Sequence, residues 1–277
     1  MAKILSTPHA HTTYADGKCS AEEMVLSALR AGFRSIGLSE HGTQDKIDSE
    51  YNLALEDVPR YIAEVRGLQN KYAGRIRVHL GIERDKYSIA RPEDYEYFIA
   101  SVHYLICGED VYAIDGKLEP LIACREKHFG GKGAALAMAY FRNLAEYAAE
   151  YKPQILGHFD LVRKNNETGK LYDAEDPKLI QAEYEALEMI YASGALLEVN
   201  TGGMARGYMS SPYPVPRMLK FWHDLGGRVI VGSDSHHVDT IDFAFDQMPE
   251  YLRAAGFETF WELGGEGEAQ FVERTLD

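Results

Sequence analysis

Residues 3–30, KILSTPHAHTTYADGKCSAEEMVLSALR, hold a complete strand–loop–helix unit. The apolar start at Ile4 and Leu5 predicts a short strand over 4–7. Ser20 and Glu23 form a capping box, and Met24, Val25, Ala28 and Leu29 recur on one helical face behind it. Between strand and helix lie His9, His11 and Asp16. A His-x-His pair at the end of a strand is either a metal grip or two polar residues at a sheet edge. The rest of the chain has to decide.

The same unit repeats in outline. Strands are expected at 4–7, 35–39, 76–82, 98–102, 154–156, 195–199 and 228–232, seven in all. Helical patterns cover 53–72, 134–151, 177–192, 216–225 and 240–255. Strands alternating with helices predict an α/β fold of parallel βα units. The stretch 106–132 is the least regular and reads as an excursion over one face. No linker composition interrupts the chain, so residues 1–277 are expected to form a single domain.

The residues at the strand ends carry the functional signal. The strands lead in turn to His9 and His11, Glu40 and His41, Glu83, His103, His158, Asn200, and Asp234 with His236. In a parallel βα barrel these ends converge on one face, where active sites are built. Six of the ten histidines fall there, where chance would scatter them. With Asp16, the candidate ligands are His9, His11, Asp16, His41, Glu83, His103, His158, Asp234 and His236, nine residues. One zinc takes three or four such groups, so the set suffices for two or three divalent ions, Zn, Mn or Fe, with Glu83 able to bridge. A multi-metal cluster can hold a hydroxide at neutral pH and clamp both oxygens of an in-line displacement, which suits phosphoester hydrolysis. For Asp16 an ordinary turn in "ADG" is the alternative. Glu198 and Asn200 read as partners that orient ligands, against polar packing inside a barrel. His79 reads as a packed strand residue, His237 as a loop residue, and His128 and His223 as carrying no chemistry.

Bulk properties narrow the partners. Lysine and arginine number 29 against 43 acidic residues, a net charge of −14. That balance disfavours non-specific binding to nucleic acid or an anionic membrane. Three cysteines, Cys19, Cys107 and Cys124, show no CxxC spacing, so a disulfide framework is not expected. No signal peptide or membrane span is visible, and a cytoplasmic location is the expectation.

In this order the motifs HAH with Asp16 in "YADG", "SEHG", "GIE", "SVH", "GHFD" and "GSDSH" resemble the polymerase and histidinol phosphatase (PHP) family. The resemblance runs from residue 9 to 236. It implies a distorted seven-stranded TIM-like (β/α)7 barrel with a trinuclear metal centre. Some members place a histidine where Asp16 stands. "GHFDLVRK" (157–164), "EVNTGGMARG" (198–207) and "SPYP" (211–214) are most similar to the histidinol-phosphate phosphatases within it. That subgroup implies a small phosphomonoester substrate, L-histidinol phosphate, in histidine biosynthesis. Arg163 and Arg206 stand where its phosphate-binding arginines do, and both lie beyond strand ends that carry site residues. Asp234 and His236 are the expected proton carriers for the leaving oxygen. The family also contains phosphodiesterases and exonucleases, so action on nucleotides or nucleic-acid ends is the alternative. A catalytically idle binding module would be expected to have lost ligands, and none is missing.

Overall fold

A computed structural model describes residues 2–45, 47 and 51–277. In chain order the elements are β1 (Ser6–Thr7), α1 (Ala21–Arg30), β2 (Ser35–His41), α2 (Val58–Tyr72), β3 (Arg77–Asp85) and β4 (Tyr97–Ser101). Next come β5 (Tyr104–Cys107), β6 (Asp110–Ala113), α3 (Leu118–Phe129), α4 (Gly133–Tyr151), β7 (Ile155–Leu156) and α5 (Pro177–Ser193). The chain ends with β8 (Leu196–Asn200), α6 (Gly202–Ala205), α7 (Pro216–Asp224), β9 (Val229–Gly232), α8 (Met248–Ala254), β10 (Thr259–Leu263) and β11 (Phe271–Thr275). Among the described residues, no helix is long and apolar enough to cross a membrane.

The seven expected strands pair in parallel in the order β1-β2-β3-β4-β7-β8-β9. Just beyond the strand ends, Ala10 and Ser235 form a parallel bridge, and the His11 amide donates to the Ser235 carbonyl at 2.9 Å. The ring therefore meets at its C-terminal face. At the opposite end β10 wedges in beside β9, where Trp261 pairs with Ile230, and reaches towards the start of the ring. Ser35 Oγ donates to the Leu263 carbonyl at 2.6 Å there. An eighth strand that fills only one end of the gap is what distorts the barrel.

Two apolar layers hold this frame. Helices pack outside, burying Met24, Tyr61, Leu136, Tyr140, Leu187 and Trp222 against the sheet. Inside, Tyr97, Ile99, Ile155, Leu196, Ile230 and Leu263 form a plug. Tyr97 lies across the barrel where Gly37 and Gly81 leave space. A Cβ at Gly37 would come within 1.9 Å of its hydroxyl, and one at Gly81 within 2.4 Å of its Cζ. Large residues thus face small ones across the narrow interior.

Several expectations change in detail. The helix expected over 240–255 shortens to α8, because Ala244 adopts a left-handed φ of 58° that no helix interior accommodates. The first turn of 53–72 is a 3-10 turn (Leu55–Asp57), and α2 begins with Pro59 in its first turn, where a missing N–H costs nothing. The excursion at 106–132 contains the β5–β6 hairpin and α3. The antiparallel β10–β11 pair was not expected at all.

Candidate metal centre

All nine candidate ligands reach the C-terminal face of the barrel. Side chains alternate across a strand, so Glu83 and Asp85 of β3 point inward together, as do Glu198 and Asn200 of β8. Glu83 sits at the centre. Its Oε2 lies 2.8 Å from His41 Nδ1, 3.3 Å from His9 Nε2 and 3.5 Å from His11 Nε2. Its Oε1 lies 2.8 Å from His158 Nε2 and 3.3 Å from His103 Nε2. Asp234 Oδ1 stands 3.4 Å from His11 Nε2 and 3.6 Å from His236 Nδ1. Asp16 completes the outer edge, with its Oδ2 3.1 Å from His236 Nε2 and its Oδ1 3.7 Å from His41 Nε2. The residues form four overlapping groups able to hold an ion: His9–His11–Asp234, His9–Glu83–His158, His41–Glu83–His103 and His11–Asp16–His41–His236.

These donors fit divalent metal. His9 Nε2, both ring nitrogens of His11, Asp16 Oδ1, Glu83 Oε2 and His158 Nδ1 are buried without a hydrogen-bond partner. Buried polar atoms are almost always satisfied, so this concentration of orphaned lone pairs marks positions built for coordination. Imidazoles and carboxylates with no thiolate suit Zn, Mn or Fe.

A ring of polar contacts orients the ligands. Glu198 Oε1 lies 2.7 Å from His9 Nδ1, which leaves Nε2 facing inward. Its Oε2 accepts from the His158 amide at 3.0 Å and from Asn200 Nδ2 at 2.9 Å. Ser101 Oγ donates to Glu83 Oε1 at 2.7 Å. Asp85 accepts the His103 amide at 2.6 Å, and its Oδ2 stands 3.3 Å from His103 Nδ1. Asp85 was not singled out in the sequence, although its spacing of two from Glu83 on a strand carries the signal. Glu40 binds Thr12 through Oγ1 at 2.6 Å and the amide at 3.1 Å, so it braces the first loop. His79 packs at the far end of the barrel against the Gly264 carbonyl, 2.9 Å away. His237 stays in the loop after the last ligand, where its Nδ1 accepts the Asp239 amide.

Charge obeys the same layout. For Glu83, burial favours the neutral acid, but His41, His103 and His9 outweigh it and hold the carboxyl well below its ordinary range. Asp234 behaves alike, with burial opposed by Arg206 and His9. For His9, burial works against protonation and the carboxylates of Glu198, Glu83 and Asp234 reverse it, lifting the ring well above its usual value. His11 is pushed down to about 3 by burial and by His236 and His41 beside it. Glu40 is driven up to about 8 by burial, with the Thr12 contacts opposing. In the protein without metal, Arg206 and His9 thus favour the ionised form of Asp234.

The cluster forms the floor of a cavity of about 400 Å³, whose lining includes Lys18, Tyr104, Asp115, Lys164, Arg206 and Tyr208. Arg206 spans its rim, donating to the Asp234 carbonyl at 2.9 Å and to Asp234 Oδ2 at 2.8 Å, with His236 Nδ1 3.0 Å away. Arg163 does not line this cavity. Its guanidinium is spent on Asp160 at 3.0 Å, Ser211 at 3.1 Å and the Pro212 carbonyl at 2.8 Å, and it lies over the Tyr213 ring. Of the two expected phosphate-binding arginines, the structure brings Arg206 into the cavity lining and not Arg163. One residue further along the 3-10 turn (Leu161–Asn166), Lys164 faces the cavity instead.

The sequence model of the PHP domain matches residues 8–202. A protein named "Probable histidinol-phosphatase" from Deinococcus radiodurans is 28% identical over 267 residues, covering 92% of this chain and 95% of that one. The histidinol-phosphatase of Bacillus subtilis is 26% identical over 271 residues, covering 87% and 97%. Among solved structures, the histidinol phosphate phosphatase of Lactococcus lactis, complexed with zinc, L-histidinol and phosphate, matches with a TM-score of 0.66 at 19% identity. That match covers 93% of this chain and 95% of the other. Strand order, ligand cluster and sequence agree: the chain belongs to the PHP domain family.

Proposed function

We propose that this chain, acting as one domain across residues 1–277, is a metal-dependent phosphatase that hydrolyses L-histidinol phosphate to L-histidinol and phosphate. The observation that carries the reading is the cationic rim over the ligand cluster, Arg206 and Lys164 in a cavity sized for a small phosphomonoester. Relatives named histidinol-phosphatase along nearly their whole length support the substrate.

Two or three divalent ions, zinc, manganese or iron, would be held by the four ligand groups, with His9, His11, His41 and Glu83 each shared between groups. When bound, such ions supply Lewis acidity and a nucleophile drawn from water at neutral pH. The chain's own side chains do the rest. Arg206, fixed by Asp234, presents its planar donors to phosphoryl oxygens, and Lys164 on the same cavity lining adds a point charge. Asp234 and His236, which line the cavity, are the groups assigned to proton transfer to the leaving alkoxide, His236 only in a form whose ring holds no ion. His11, Asp16, His41 and His236 would hold the outermost of these ions.

The test is phosphate release from L-histidinol phosphate by metal-stripped protein and by protein reconstituted with each metal. Turnover that appears only on reconstitution supports the reading. No phosphate release with any of the three metals refutes it.

A further inference from the structure

Asp115 is the one carboxylate lining the cavity, among the described residues, that stands outside the nine-residue cluster. It lies between β6 and α3, on the excursion that covers the face. Its backbone is pinned from one short turn. Lys164 Nζ donates to the Asp115 carbonyl, and Asn165 Nδ2 donates to the carbonyls of Ile114 and Gly116, both at 3.0 Å. Two consecutive side chains thus hold three consecutive carbonyls. The carboxylate is left out of this clamp. Its Oδ2 stands 4.0 Å from Lys164 Nζ, beyond hydrogen-bond reach, and the side chain keeps 41% of its surface open.

The geometry points to Asp115 as the residue that selects substrates bearing an ammonium group next to the phosphate ester. The inference rests on the phosphomonoester reading above. A phosphate drawn to Arg206 and Lys164 is held in the same cavity that Asp115 lines. An amine on the carbon next to the esterified one is separated from phosphorus by one oxygen and two carbons. Lys164 Nζ and Asp115 Oδ2 stand 4.0 Å apart on the lining of one cavity, so a cation for the phosphate and a carboxylate for the ammonium lie side by side. Histidinol phosphate carries its amine at this position, and a simple alkyl phosphate does not. The clamp fixes the backbone that carries Asp115 and so limits where its carboxylate can reach.

Metal-reconstituted wild type and Asp115→Asn are compared on O-phosphoethanolamine, ethyl phosphate and L-histidinol phosphate. The wild type is expected to prefer phosphoethanolamine over ethyl phosphate in kcat/KM. The variant should lower that preference about 10- to 100-fold, the loss of one charge-assisted hydrogen bond, with most of the change in KM. Calorimetry with L-histidinol and saturating phosphate should show weaker L-histidinol binding by the variant. Asparagine keeps every backbone contact of the clamp, and the ratio of two substrates on one protein sample cancels any loss of folded enzyme. An unchanged preference ratio, or a wild type with no amine preference, overturns the proposal. A wild type idle on histidinol phosphate, whose amine preference still collapses in the variant, removes the histidinol-phosphate reading and leaves Asp115 as the selector.

Discussion

Glu198 Oε1 lies 2.7 Å from His9 Nδ1, and the same carboxylate accepts the His158 amide through Oε2 at 3.0 Å. One buried acid on β8 thereby orients ligands from two other strands. A Cβ at Gly232 would come within 1.9 Å of its Oε1, so the neighbouring strand is trimmed to admit it. Glu198→Gln is expected to weaken metal affinity about 10- to 100-fold, the usual effect of removing a partner that orients a ligand. Metal titration by competition with a chromophoric chelator checks this. Wild-type affinity in the variant would show that Glu198 only packs.

Arg206 holds Asp234 through two contacts and carries the phosphate in the proposed reaction. Arg206→Ala should lower kcat/KM by about 100-fold or more, as for other groups aimed at developing charge. Arg206→Lys should recover little, because a point charge cannot repeat the planar fork. Steady-state phosphate release measures both. An unchanged kcat/KM in the alanine variant would sink the role.

Glu40 provides a pH signature of the metal-free protein. Burial raises its folded carboxyl to about 8, above its ordinary value of 4.5. The folded state therefore binds more protons than the unfolded state between those values. Stability from this group is full below about pH 4.5 and is lost as pH rises through about 8. Glu40→Gln keeps an acceptor for Thr12 and removes the titration. Its melting temperature relative to wild type should rise steadily between about pH 5 and about pH 9. A difference that stays flat with pH contradicts the assignment.

Tyr97 occupies the space left by Gly37 and Gly81. Gly81→Ala should destabilise the metal-free protein by about 1–3 kcal/mol, the cost of overpacking a filled core. Adding Tyr97→Leu should return part of that loss in a double-mutant cycle monitored by urea denaturation. Additive losses would mean that the two positions do not share one space.

Much of this frame is legible in the residues alone. Parallel strands are buried on both faces and leave continuous apolar runs, so all seven show in the sequence with small shifts at their ends. Ligands at strand ends are a direct consequence of that register. The β10–β11 pair was missed because its strands, TFWEL and FVERT, mix charge with apolar residues near the end of the chain. Arg163 and Lys164 are adjacent, and only the direction of the 3-10 turn decides which one meets the cavity. Side-chain direction in an irregular turn has no period to read. Asp85 was visible by alternation, but its role depends on the His103 amide arriving above it from β4.

The most direct measurement compares kcat/KM for L-histidinol phosphate and for bis-p-nitrophenyl phosphate on the same metal-reconstituted protein. The account predicts efficient release of phosphate from the monoester and slow cleavage of the diester. Efficient diester cleavage with no turnover of histidinol phosphate would contradict it and make the chain a phosphodiesterase on the same barrel.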